Sequence, residues 1–173
     1  MEENGEKLDE LIKGEYGENN NCPMWLFGDT YDGSSTAYNP YHVVTNEEDW
    51  WSHQYTNFWI TNARKTGAEA RLYMVFQCSR TIKGFLLKNT HNGERLSRGT
   101  KDFTISISDS IDGPWTDILT GSLPDPLDVS GVPVSPVPVL NFELENKVEA
   151  KVVRFQIDSF FHSGGGLQYF STY

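Results

Sequence analysis

Between Phe103 and Ser108 the chain alternates strictly, with Phe103, Ile105 and Ile107 on one side and Thr104, Ser106 and Ser108 on the other. That period belongs to a β-strand with one dry face and one wet face. A turn follows at Asp112-Gly113-Pro114, then Trp115 and the short apolar run Ile118-Leu119. Further on come Val152–Ile157 and a closing run, Gly164-Gly165-Gly166-Leu167-Gln168-Tyr169-Phe170. The same reading places strands near 25–27, 57–61, 71–77, 81–89, 102–108, 115–119, 137–144, 150–158 and 166–172. Clusters of Gly, Asn, Asp, Ser and Pro separate them, and no repeat is present. Many short strands with turn signals between them make an antiparallel sandwich.

At 173 residues the chain suits one domain with one core. Residues 1–21 form an acidic leader with one short amphipathic stretch, Leu8, Leu11, Ile12 and Tyr16, limited by Gly14 and Gly17. The globular domain is expected over 22–173. Segment 124–138 holds five of the eight prolines, a density that keeps it out of central strands and makes it a surface loop.

The formal net charge is −10, which disfavours nucleic acid and anionic membranes as partners, since both need clustered Lys and Arg. No apolar run reaches the roughly 18 residues of a membrane span. The N-terminus has neither a basic region nor an apolar one, so it does not read as a signal peptide. The expected compartment is cytoplasmic as the sequence stands, and extracellular if a leader was removed. Two cysteines, Cys22 and Cys78, allow one disulfide. Cys78 lies beside the apolar run Leu72–Phe76, which favours two buried, unbridged thiols.

Catalytic signals are poor. His42, His53, His91 and His162 show no HExxH spacing, and Ser163 lacks the Gly-x-Ser-x-Gly elbow. No P-loop or GxGxxG is present. A non-enzymatic chain is expected.

The order of these strands and turns resembles the discoidin-like domain of the coagulation factor 5/8 type C class, over roughly residues 25–173. Ser34-Ser35 with Tyr38 and Tyr41 look like its first strand and loop. Asn46-Glu47-Glu48-Asp49-Trp50-Trp51-Ser52 looks like its acidic loop ending in Trp. Tyr73–Phe76, Thr81–Asn89, Asp102–Ser108, Gly113-Pro114-Trp115, Val152–Ile157 and the Gly-Leu closing strand follow in the family's order. The insertion Thr61–Ala70 is atypical of it, and its role is open. The resemblance implies an all-β, galactose-binding-like jelly-roll β-sandwich that acts as a lectin-like carbohydrate-binding module, with a glycan or glycoprotein as partner.

Sugar recognition in such modules pairs an aromatic face with Arg, Asn or His fixing the hydroxyls. Two loops offer that mix: Trp50, Trp51 and His53 in one, and Asn89, His91, Asn92, Arg95 and Arg98 in the other. For Asn89 and Arg98 the competing role is to lock the loop, the arginine by an ion pair such as one with Asp102. Arg154 is expected on a sheet face beside a carboxylate. The resemblance also brings in Ca²⁺, for which Asn46, Glu47 and Asp49 could supply oxygens. The family's closing Glu is replaced here by Gln168-Tyr169, which weakens such a site. A second reading is a protein–protein module docking through the leader.

Overall fold

The computed structural model describes residues 22, 24–31, 38, 40–44 and 58–173. Its strands are β1 (Met24–Gly28), β2 (Trp59–Ile60), β3 (Arg71–Lys88), β4 (Asp102–Ser108), β5 (Thr116–Ser122), β6 (Val139–Ile157), β7 (Gly166–Leu167) and β8 (Tyr169–Thr172). Three short 3-10 turns, Pro40–Val44, Gly67–Glu69 and Gly93–Arg95, lie between them. The sheet runs β1-β3-β6-β4-β5 with β8 added to β3, and β2 pairs with β7 separately. Every pairing between these strands is antiparallel.

Two long strands build both layers. Where separate strands are expected at 71–77 and 81–89, β3 is continuous, and β6 likewise joins 137–144 to 150–158. The expected breaks survive as irregularities. From Val75 to Arg80 β3 advances five residues while β6 moves only from Val152 to Ala150, and from Val148 to Glu143 β6 makes the compensating excursion. Such unequal counts bend a strand pair sharply. The first half of β3 therefore pairs with β1 and the second half of β6, and its second half pairs with β8 and the first half of β6. The halves face each other through aromatic rings: Phe103 meets Phe142 at 5.2 Å and Phe155 meets Phe170 at 5.5 Å.

Period-two patterning fills the interior. Leu72, Met74 and Phe76 from β3, Phe103 and Ile105 from β4, and Val153, Phe155 and Ile157 from β6 are all buried. The hydroxyl side of β4 departs from expectation, because Ser106 and Ser108 are buried too. The Ser106 hydroxyl donates to Asp117 Oδ1 at 2.6 Å and accepts from Arg154 Nη2 at 3.0 Å, so side chains rather than water cover that face.

Three further expectations meet the structure here. The two cysteines are bridged, Cys22 to Cys78, with Cα atoms 5.6 Å apart. Met24 pairs with Phe76, and the same register carried two residues outward sets Cys22 opposite Cys78 on adjacent strands, within the reach of a cystine. The Pro-rich segment is a loop, as expected, pinned by Asp128 Oδ1, which accepts from Ser130 N and Val132 N. The run Gly164-Gly165-Gly166 reads in the sequence as a flexible entry to the last strand, and the structure overturns that reading. The glycines are buried, and a Cβ on Gly166 would stand 2.2 Å from Trp59 O; close backbone approach, rather than freedom, requires the glycine.

Candidate functional site

Because β3 and β6 fold over, the start of β3, its end, the start of β4 and the end of β6 all reach one pole of the sandwich. The loops there are laced by backbone bonds. Ser97 O accepts from Ser163 N, Gly164 O accepts from Gly99 N, and Ser163 O accepts from Arg64 N. Asn89 anchors the junction. Its Nδ2 donates to Thr100 O at 2.8 Å and Pro124 O at 2.9 Å, while its Oδ1 accepts from Thr90 N at 3.0 Å and Thr100 N at 2.9 Å. A planar amide with both ends engaged by backbone ties three segments together.

The candidate loop divides by exposure. Asn89, His91, Asn92 and Arg98 are buried, and the hydrogen bonds they make hold the frame of the loop end. Arg95 stands exposed in the Gly93–Arg95 turn. Arg98 does not pair with Asp102. Its Nη1 donates to Ser163 Oγ at 2.7 Å, and its guanidinium lies 5.7 Å from the Tyr31 ring centre. Asp102 instead accepts from the Ser122 and Ser159 hydroxyls. Those two bonds hold its carboxyl below the usual range. Burial depresses the Arg98 pKa. Within this framework Asn92 Oδ1 and Arg98 Nε are buried without a hydrogen-bond partner.

His91 Nδ1 donates to Gly93 O at 2.9 Å. Burial holds its pKa below the ordinary value, opposed by that bond. A depressed folded pKa means the unfolded chain takes up the proton first, so stability is full above about pH 6.5 and falls as pH drops below it. The expected result is a melting temperature that declines between about pH 6.5 and 5.5 in the parent and declines less in His91→Gln. Equal slopes in the two proteins would refute it.

Backbone conformation marks the same pole. The non-glycine residues with positive φ among the described residues are Tyr38, Arg64, Asn92, Leu96 and His162. Arg64, Asn92, Leu96 and His162 belong to the laced loops, and Tyr38 packs against Tyr31, which lies under Arg98. Left-handed backbone at such residues is unfavourable and persists only where the surroundings impose it.

The insertion left open in the sequence supplies what was missed. Asn62, Lys65, Ala68 and Glu69 line a polar cleft of about 440 Å³ with Gly28, Asp29 and Thr30. This falls within the roughly 300–1,000 Å³ of small-molecule sites. Asp29 is set by Oδ2 accepting from Arg71 N at 2.9 Å and by its carbonyl accepting from Trp59 Nε1 at 2.6 Å. Lys65 and Glu69 pair across one rim. Trp50, Trp51 and His53, and the metal candidates Asn46, Glu47 and Asp49, lie outside the described residues. Gln168, at the place of the family's closing Glu, is buried, with its backbone N–H donating to Lys88 O. Among the described residues no group of three or more His, Cys, Asp or Glu could hold a metal ion.

No family model and no curated protein matches the chain. Solved structures do. The family 32 carbohydrate-binding module of C. perfringens NanJ, in complex with galactose, aligns over 87% of this chain and 92% of its own, with a TM-score of 0.57 and 9% identity. The fold is the discoidin-like, galactose-binding-like jelly roll. The family 32 module of Streptococcus pneumoniae EndoD has the same fold, covering 87% of this chain and 94% of its own at a TM-score of 0.54 and 13% identity. A Ruminococcus gnavus GH29 fucosidase in complex with fucose aligns over 90% of this chain at a TM-score of 0.58 and 9% identity. This chain spans only 26% of that enzyme's length, so the discoidin-like unit corresponds to a part of it. Of these three, the two covered nearly end to end are carbohydrate-binding modules.

Proposed function

We propose that residues 22–173 form a non-catalytic carbohydrate-binding module, preceded by the leader 1–21, and that it takes a galactose-type sugar at the laced loop end. The observation that carries this reading is the meeting, at one pole, of the positive-φ residues with a polar cleft of carboxylate, amide, ammonium and hydroxyl groups. Fixed donors and acceptors in a preformed hollow suit a ring of hydroxyls, because rigid partners lose little freedom on binding. The galactose-bound NanJ module, with the same fold, supports the ligand class. Trp50, Trp51 and His53 remain proposed as the stacking side, with Arg95 and Asn62 as the polar side. Calcium through Asn46, Glu47 and Asp49 remains a proposal of its own, tested by running every titration with and without the ion.

The test is titration with galactose and N-acetylgalactosamine, followed by a glycan array. Arg95→Ala and Asn62→Ala, both at exposed positions, are expected to weaken binding about tenfold, roughly 1.4 kcal/mol, at unchanged melting temperature. Retention of no glycan by the parent would sink the reading. If deletion of residues 1–21 abolished binding while both variants kept it, the site would belong to the leader instead.

A further inference from the structure

The outer face of the first layer carries aromatic side chains that the core does not use. On the edge strand β1, Leu26 points inward while Trp25 and Phe27 point out, 47% and 45% exposed. Phe27 pairs in register with Tyr73, and the two rings stack at 5.0 Å with 12° between planes. Tyr73 pairs with Arg154, Arg154 with Ser106, and Ser106 with Asp117. One line of side chains thus crosses all five strands. Trp115 closes it, 5.9 Å from the Tyr73 ring and 4.3 Å from the Arg154 guanidinium.

The charge on this line is unevenly matched. Arg154 Nε has no hydrogen-bond partner, and the carboxylate nearest its Nη2, Asp117, is 3.9 Å away on a side chain 65% exposed. Arg71 stands on the same face two residues before Tyr73, its Nε donating to Gln156 Oε1 at 2.8 Å. Burial first, then the Arg71 charge, depresses the Arg154 pKa. In a chain of net charge −10, two guanidiniums are held side by side next to exposed rings.

We propose that this sheet face is a second carbohydrate site, separate from the loop end, and that it takes an anionic saccharide: sugar rings on the exposed Trp25 and Phe27, with the carboxylate or sulfate on Arg71 and the charge of Arg154, 12% exposed beside Trp115, behind it. Exposed aromatic rings offer a flat apolar surface to the C–H face of a sugar. A guanidinium presents a planar fork that matches a carboxylate or sulfate with two parallel bonds. Charge complementarity favours that class, since Asp117, 3.9 Å from Arg154 on an exposed side chain, offsets only part of the charge of two neighbouring guanidiniums. Arg71 shares with the loop end only its backbone N–H, which Asp29 accepts and Arg71→Gln keeps, so either site can fail without the other.

The experiment is calorimetric titration of the full chain with tetragalacturonate, with a sulfated heparin tetrasaccharide and with uncharged maltotetraose. At least one charged ligand is expected to bind about tenfold more tightly than maltotetraose, and the two charged arms tell carboxylate from sulfate. Trp25→Ala, at a ring half in water, and Arg71→Gln should each weaken that binding about tenfold and leave galactose titration unchanged. Raising the salt from about 0.15 to 0.5 M should weaken it further. The proposal is overturned if neither charged ligand binds, if maltotetraose binds as well as they do, or if Trp25→Ala changes nothing. It is equally overturned if the face is otherwise occupied. Greater quenching of tryptophan by acrylamide after deletion of 1–21, lost in Trp25→Ala, would assign it to the leader. A dimer in sedimentation that Trp25→Ala dissolves would assign it to a second copy.

Discussion

Denatured without reductant, the protein is expected to show no titratable thiol, and Cys78→Ser is expected to lower stability by about 4 kcal/mol. The bridge joins residues 56 apart. Cross-linking a loop of that length removes freedom mainly from the unfolded chain, and the entropic estimate for it is about 4 kcal/mol. Little in the core is lost with it, because Cys78 is exposed and Cys22 packs only partly buried at the core's margin. Cys22→Ser, Cys78→Ser and the double variant should therefore destabilise equally, and dithiothreitol should bring the parent down to their level in urea melts. Two thiols per chain in the unreduced, denatured protein would refute the bridge. A single-cysteine variant as stable as the parent would refute its contribution.

Asn89→Ala is expected to lower stability by about 3–5 kcal/mol, since a buried donor or acceptor left unmade costs roughly 1–3 kcal/mol. Four backbone groups lose their partner at once: Thr100 N and O, Thr90 N and Pro124 O. Asn89→Asp is the informative companion. It keeps the size and both accepted bonds but turns the Nδ2 end toward two carbonyl oxygens as an acceptor, so it should be about as damaging as alanine. Urea denaturation with an unchanged slope measures both. A loss below about 1 kcal/mol for alanine would mean that the loops hold together without the amide.

Much of the fold was legible in the sequence because strand period and turn chemistry are local properties. The Phe103–Ser108 alternation, the Tyr73–Phe76 run and the Pro-rich loop each declare themselves within a few residues. What failed was what depends on pairing. Residues 78–80 stand as a break between the expected strands 71–77 and 81–89 and are in fact a bend inside one, because β6 makes a matching excursion that no local window contains. The cystine was missed for the same reason: Cys22 and Cys78 are neighbours only through the β1–β3 register. At the loop end, Asn89, His91, Asn92 and Arg98 have the chemistry of a sugar site, but composition does not tell a side chain that meets a ligand from one that meets backbone. Only Arg95 of that group lies open to solvent. The cleft of the 61–70 insertion had a signal, its departure from the family pattern, but its partners Asp29 and Thr30 lie some thirty residues earlier and are brought beside it only by the β1–β3 pairing.

The doubled-over β3–β6 pair has a mechanical consequence. In a sandwich of two independent sheets, one can peel away while the other persists. Here each layer is woven from the same two threads, and the ring contacts Phe103–Phe142 and Phe155–Phe170 clamp the folded pair shut from both sides. A tear starting at the edge strands β5 or β8 can fray its own margin, but it stops at β3 and β6, which give way only when both layers do. The platform that carries the loop end therefore has no half-open form to pass through. It stands or falls in one step.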